Sequence, residues 1–178
     1  MPESLDIIQT VDSDPAFGPT GFFKPFTSRV DLKDWQARVK DSNSACQRPR
    51  YMMVPLPEFH QLDAREAFVR NHPLPAFEKK AWQENLTSAQ RWQEYVLSYE
   101  QSLTTIDGLN EALKDLDKLI YSEDYCSEGG LSLDDIDLWS RLRSMTLIKG
   151  VKWPEKLGKY MANLSQRGDI PLYFTMQV

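Results

Sequence analysis

From Trp92 to Ile120 the apolar and aromatic residues Trp92, Tyr95, Tyr99, Leu103, Ile106, Leu109, Leu113, Leu116 and Ile120 follow one another at intervals of three and four. That spacing lays one continuous stripe along a helix of 3.6 residues per turn and contradicts the two-residue alternation of a strand. A helix is expected from about Ser88 onward, with a bend at Gly108. Strand patterns are nearly absent elsewhere, and only the apolar tail from Ile170 to Val178 competes as one. The fold class expected is all-α.

Proline and glycine divide the rest of the chain. Pro15, Pro19, Pro25, Gly18 and Gly21 crowd the stretch 13–26 and mark it as a linker between a short opening helix, residues 1–12, and a body at 27–178. In that body Ser28 offers an N-cap with Asp31 three residues on, and Leu32, Trp35 and Val39 continue a helix to about Ala45, where Arg48-Pro49-Arg50 interrupts it. Further helices are expected from about Asp63 to Val69, before His72-Pro73-Leu74-Pro75, and from about Phe77 to Glu84. Pro154 takes a favoured first helical position ahead of Leu157, Tyr160, Met161 and Leu164, a stripe that runs to Gly168.

Leu131-Ser132-Leu133-Asp134-Asp135-Ile136 is the most informative hexamer. Ser132 at the N-cap and Asp135 at N3 form a capping box, in which the two side chains satisfy each other's orphan amides. Leu131 and Ile136 stand at the N′ and N4 positions of a hydrophobic staple, which sets the angle of chain entry. Asp134, Asp135 and Asp137 near this end, with Arg141, Arg143 and Lys149 towards the other, complement the helix dipole over a helix expected to end near Gly150.

Composition narrows the function. A chain of 178 residues can bury a core without staples, and a net charge of -5 lacks the basic footprint of a nucleic-acid binder. Arg141 to Arg167 holds seven Lys or Arg against one acidic residue, an asymmetry that dipole complementarity and surface pairing explain. No apolar run reaches the roughly 18 residues of a membrane span, and no secretory leader opens the chain, so a cytoplasmic monomer away from membranes is expected. Asn85-Leu86-Thr87 and Asn163-Leu164-Ser165 are then chance glycosylation matches.

Most chemistry searched for is missing. His60 and His72 have no second ligand at metal spacing. Asp115/Asp117 and Glu123/Asp124 read as solvated surface, not as acid and base. Cys46 and Cys126 lie far apart with no Cys-x-x-Cys; Cys46, at the C-terminal end of its expected helix, reads as an inert thiol despite Arg48 and Arg50. One corner carries positive suggestion. Ser4 and the free amides of the opening helix suit an anion, and Glu3 suits an ammonium, so Glu3 and Ser4 either hold an amino-acid head group or simply cap the helix.

At these residues the chain resembles a known family. "MPESLDIIQTVD" is similar to the Pro-Glu-Ser-x-x-Ile segment of bacterial two-domain glutaredoxins of the glutaredoxin 2 type. "LKDLDKLI" and "LSLDDIDLWSRLRSMTLIKGVKWPEKLGKYMANLSQ" resemble the end of that family's C-terminal helical domain. The likeness weakens between, where His72 to about Gln101 looks longer than the family's usual segment. It implies a glutathione-transferase-like plan: a thioredoxin fold, a linker and an all-helical domain. It also implies that Glu3 and Ser4 hold the γ-glutamyl end of glutathione, the co-substrate, and that a cysteine thiolate attacks protein mixed disulfides.

The family's Cys-Pro-Tyr-Cys and its cis-proline loop have no counterpart in this sequence. Residues 1–12 are therefore expected to be the last helix of a thioredoxin-like domain otherwise missing, with Met1 an internal methionine and no redox activity in this chain alone. The alternatives are a stand-alone helical module that binds a partner or ligand, and a non-catalytic glutathione binder.

Overall fold

The computed structural model describes the backbone of residues 4–178 and the side chains from Asp6 onward. Among the described residues there are eight α-helices, joined by loops and short 3₁₀ turns: α1 (Ser4–Ser13), α2 (Val30–Tyr51), α3 (Leu62–Asn71), α4 (Lys79–Asn85), α5 (Ser88–Ser102), α6 (Ile106–Leu119), α7 (Leu133–Met145) and α8 (Glu155–Gly168). Among them there is no strand, and the only β pairing is a single parallel bridge between Lys24 and Ser132. No helix of the described residues is long and apolar enough to cross a membrane.

The core is built from α2, α6, α7 and α8. Leu32, Trp35 and Val39 of α2, Leu109, Leu113 and Leu116 of α6, Leu138 and Leu142 of α7, and Leu157 and Met161 of α8 form one buried cluster. Fully burying a leucine contributes about 1.5–3 kcal/mol, so this cluster is the chief source of cohesion. The indole nitrogens of Trp35 and Trp139 donate to the carbonyls of Ala112 at 2.7 Å and Met161 at 3.1 Å, which removes the cost of burying them. Residues 52–95 build a second, aromatic cluster in which Trp82 is fully enclosed by Met52, Val69, Leu74 and Tyr95, with Phe77 edge-on at 5.0 Å.

Several boundaries differ from the sequence expectation, each for a physical reason. Ser28 does not cap α2. It adopts a positive φ of 58°, and Arg29 stands at the helix entrance instead. The Arg29 guanidinium binds Asp31 and also the carbonyls of Leu119 at 2.8 Å and Cys126 at 3.0 Å, thereby joining the start of α2 to the end of α6. That ion pair holds the Asp31 carboxyl below its ordinary value.

Nor does α2 stop at Ala45; it runs through Pro49 to Tyr51. Proline removes the N–H that would reach the carbonyl four residues back, that of Ala45. Ser98 of α5 supplies the replacement, its hydroxyl donating to the Ala45 carbonyl at 3.1 Å. The next residue, Arg50, is fully buried, lies over the Tyr99 ring at 4.8 Å and donates to the Cys46 carbonyl and the Ser102 hydroxyl, both at 2.8 Å.

The long stripe of 88–120 breaks at Leu103–Thr105, not at Gly108, which α6 carries without interruption. Ser102, Thr104 and Thr105 each donate a hydroxyl to the carbonyl three residues back, at 2.7, 2.9 and 2.8 Å, and so tighten the chain into a 3₁₀ turn. Similarly α7 ends at Met145, where turn hydrogen bonds take over before Gly150. Pro154 precedes the first residue of α8 rather than occupying it. The tail is a 3₁₀ turn, not a strand, and packs on the body. Tyr173 donates its amide to Thr146 Oγ1 at 2.9 Å, and Val178 exchanges backbone bonds with Leu147 and Lys149.

Candidate functional site

The start of α7 gathers several buried polar residues, Ser127, Ser132, Asp134 and Asp135. Asp135 is fully buried, and its Oδ2 accepts the Ser132 amide at 2.9 Å and the Ser132 hydroxyl at 3.0 Å. Its Oδ1 accepts the Cys126 amide at 2.7 Å and the Tyr160 hydroxyl at 3.2 Å. Two residues of the box thus secure the α7 entrance, the loop before it and the middle of α8. Beside it, Asp134 Oδ2 accepts the Thr27 amide at 2.9 Å and the Thr27 hydroxyl at 2.6 Å, which ties the residue just past the linker to the same turn. The sequence reading passed over Thr27, because its partner lies 107 residues away.

Leu131 and Ile136 both line an apolar cleft of about 400 Å³ beside this turn. Phe22 and Phe23 of the linker close one side, and Trp139, Leu164 and Ile170 continue it. Phe22 is 57% exposed, and on the neighbouring α1 Ile7 and Val11 are 51% and 41% exposed. The linker and α1 therefore present apolar side chains to the outside next to an apolar cleft.

Neither cysteine is placed to act as a nucleophile. Both are free thiols and both are fully buried. Cys46 sits inside α2, not at a helix end, with Sγ 3.2 Å from Thr105 Oγ1. Burial, reinforced by the charge of Asp135, pushes the Cys126 thiol well above its ordinary value. The Tyr160 hydroxyl is raised for the same reasons, burial first. Reactive cysteines need an exposed thiolate, and these are the opposite.

Of the corner at the start of the chain, Glu3 lies outside the described residues. Ser4 is the first residue of α1, and its side chain also lies outside them. His60 and His72 remain apart from any ligand set; the His72 ring stacks on Phe68 at 4.1 Å. Among the described residues no group of three His, Cys, Asp or Glu side chains is placed to hold a metal ion.

Residues 31–177 match the family model described as "Glutaredoxin 2, C terminal domain". The chain belongs to the glutaredoxin 2 family. It is 30% identical to the glutaredoxin 2 of Escherichia coli K12 and to that of Escherichia coli O157:H7, in each case over all of this chain and 73% of the relative. Among solved structures it is similar to glutaredoxin 2 from Salmonella typhimurium, determined in complex with glutathione. That match has a TM-score of 0.75 and 26% identity and covers the whole of this chain and 72% of the other. Residues 31–177 are therefore the glutathione-transferase-like C-terminal helical domain of this family, and the capping box of Ser132 and Asp135 lies within them.

Proposed function

We propose that this chain supplies the helical half of a glutathione-dependent thiol–disulfide oxidoreductase and has no turnover of its own. The observation that carries the reading is the enclosure of both thiols, Cys46 and Cys126, each fully buried. In the reaction that membership implies, a thiolate attacks the protein sulfur of a mixed disulfide or its glutathione partner, and a second thiol resolves the product. No thiol of this chain fits the first step. The sequence also lacks a Cys-x-x-Cys.

The half-exposed Ile7 and Val11 of α1, with Phe22 and the apolar cleft beyond it, are the surface on which a thioredoxin-like body would sit. Glu3 and Ser4 would then hold the γ-glutamyl end of glutathione at the edge of that body, a role taken from the family likeness. Two free thiols fit a reducing compartment, which supports a cytosolic location.

The test is a coupled assay of the purified 178-residue chain with glutathione and a glutathionylated disulfide. The expected rate is that of the uncatalysed exchange. Turnover that disappears in Cys46→Ser or Cys126→Ser would overturn the reading.

A further inference from the structure

The cleft beside the α7 entrance is walled by side chains from separate parts of the chain: Phe22 and Phe23 of the linker, Ile136 and Trp139 of α7, Leu164 of α8 and Ile170 of the tail. Its volume of about 400 Å³ falls in the range of about 300–1,000 Å³ that small-molecule sites occupy. Solvent reaches it. Phe22 is 57% and Ile170 43% exposed, so a ligand can touch both without rearrangement. Phe22 meets Phe23 edge-on at 5.2 Å, and the Trp139 indole N–H is already taken by the Met161 carbonyl at 3.1 Å. The rings therefore offer apolar surface and no unsatisfied donor.

One cation stands in the lining. Arg167, in the last turn of α8, is exposed, and its side chain makes no hydrogen bond or ion pair with the described residues. The guanidinium lies over the Tyr125 ring at 5.2 Å, a contact that orients the head and leaves its N–H groups open. The carboxylate of the lining, Asp135, does not answer it. That residue is fully buried, and its two oxygens already accept four hydrogen bonds from Ser132, Cys126 and Tyr160. An apolar cleft with an unpaired guanidinium at its rim is complementary to a molecule with an apolar body and one anionic head, and the planar fork of arginine matches a carboxylate.

We propose that this cleft binds a small aromatic carboxylate, with its rings among Phe22, Phe23 and Trp139 and its carboxylate on Arg167. Offset and edge contacts with three aromatic side chains favour a ring over an alkyl chain of the same size. A thioredoxin-like body seated on Ile7, Val11 and Phe22 would roof the cleft, and ligand sites are common at such domain boundaries. The binding does not rest on the redox reading of the chain.

The experiment is an NMR titration of the isotopically labelled 178-residue chain with indole-3-acetate, indole-3-acetamide and tryptamine, which set an anionic, a neutral and a cationic head on one two-ring body. Saturable shifts of the Trp139 indole N–H and of the Ile136 and Ile170 amides are expected with the acetate, with a Kd of about 1 mM or below. The amide is expected to bind at least about fivefold more weakly, and tryptamine more weakly still. Arg167 and Phe22 are both exposed, so variants at either keep the core. Arg167→Gln is expected to bring the acetate down to the affinity of the amide and to leave the amide unchanged. Phe22→Ala is expected to weaken both at least about threefold. Absence of saturation by the acetate at about 10 mM, equal affinity of acetate and amide, or an Arg167→Gln chain that still prefers the acetate overturns the proposal. Preference for tryptamine overturns it as well, because Asp135 would then set the charge of the site. None of these results depends on turnover, so the proposed function stands or falls separately.

Discussion

The hydroxyl of Tyr160 lies 3.2 Å from the carboxylate of Asp135, which places the first turn of α7 and the middle of α8 on a single fully buried acidic side chain. The same carboxylate accepts two backbone amides, those of Ser132 and Cys126. Capping boxes on a protein surface satisfy one helix end. Here the box also closes the core between two helices and a loop.

Asp135→Ala is therefore expected to cost about 3–5 kcal/mol, because it strands two buried amides as well as removing the charged acceptor. Tyr160→Phe removes one donor and leaves the carboxylate its other partners, so about 1 kcal/mol is expected. Urea unfolding of the two variants decides this. Equal losses would mean that the Tyr160 bond, not the box, carries the stability.

The passage of α2 through Pro49 depends on Ser98. With Ser98→Ala the Ala45 carbonyl loses its donor, and a loss of about 1–2 kcal/mol is expected. In a Pro49→Ala background the restored N–H can reach that carbonyl, and the cost of Ser98→Ala is expected to fall by about 1 kcal/mol. A double-mutant cycle measures the coupling, and identical costs in both backgrounds would remove the explanation.

These two cases show what the sequence could and could not convey. The helical class, the α7 entrance and the stripes of α6 and α8 were legible because their signals are local: a spacing of three and four, a hydroxyl and a carboxylate three residues apart. The continuation of α2 was not legible, since the group that rescues its proline lies on α5. The break at Leu103–Thr105 had a local cause, three hydroxyls in four residues, that the apolar stripe overrode in the reading. Ser28 looked like a cap by residue type, yet Arg29 takes the entrance because its long side chain reaches two carbonyls near the end of α6. Of the candidate site, thiol burial was invisible to composition.

Glu66 gives a pH dependence of defined sign. Its carboxylate accepts the Ser88 hydroxyl and the Trp92 indole N–H, each at 2.6 Å, and these bonds hold its pKa below the ordinary value. A depressed folded-state pKa contributes stability that is fully present above the unfolded value of about 4.3 and is lost as pH falls through the folded value. Wild type is thus expected to exceed Glu66→Gln most above about pH 5, with the gap closing towards pH 3. Urea midpoints across that range check it, and a gap that does not change with pH would refute the assignment.

The buried thiols make a last prediction, read by chemical labelling. An aromatic disulfide reagent reads free thiolate, and an ordinary cysteine with a pKa of about 8.5 becomes much more reactive when the pH is raised to about 9. Cys46 and Cys126 are both fully enclosed, and burial together with Asp135 keeps the Cys126 thiol protonated well above that pH. The native chain is therefore expected to show no prompt reaction at either pH, and both thiols to react once guanidinium unfolds it. Labelling in the native state should follow opening of the core, so Asp135→Ala, which loosens the contact between α7 and α8, is expected to speed it. Prompt labelling of one thiol in the folded protein, traced by Cys46→Ser and Cys126→Ser, would show an accessible sulfur and reopen redox chemistry in this chain.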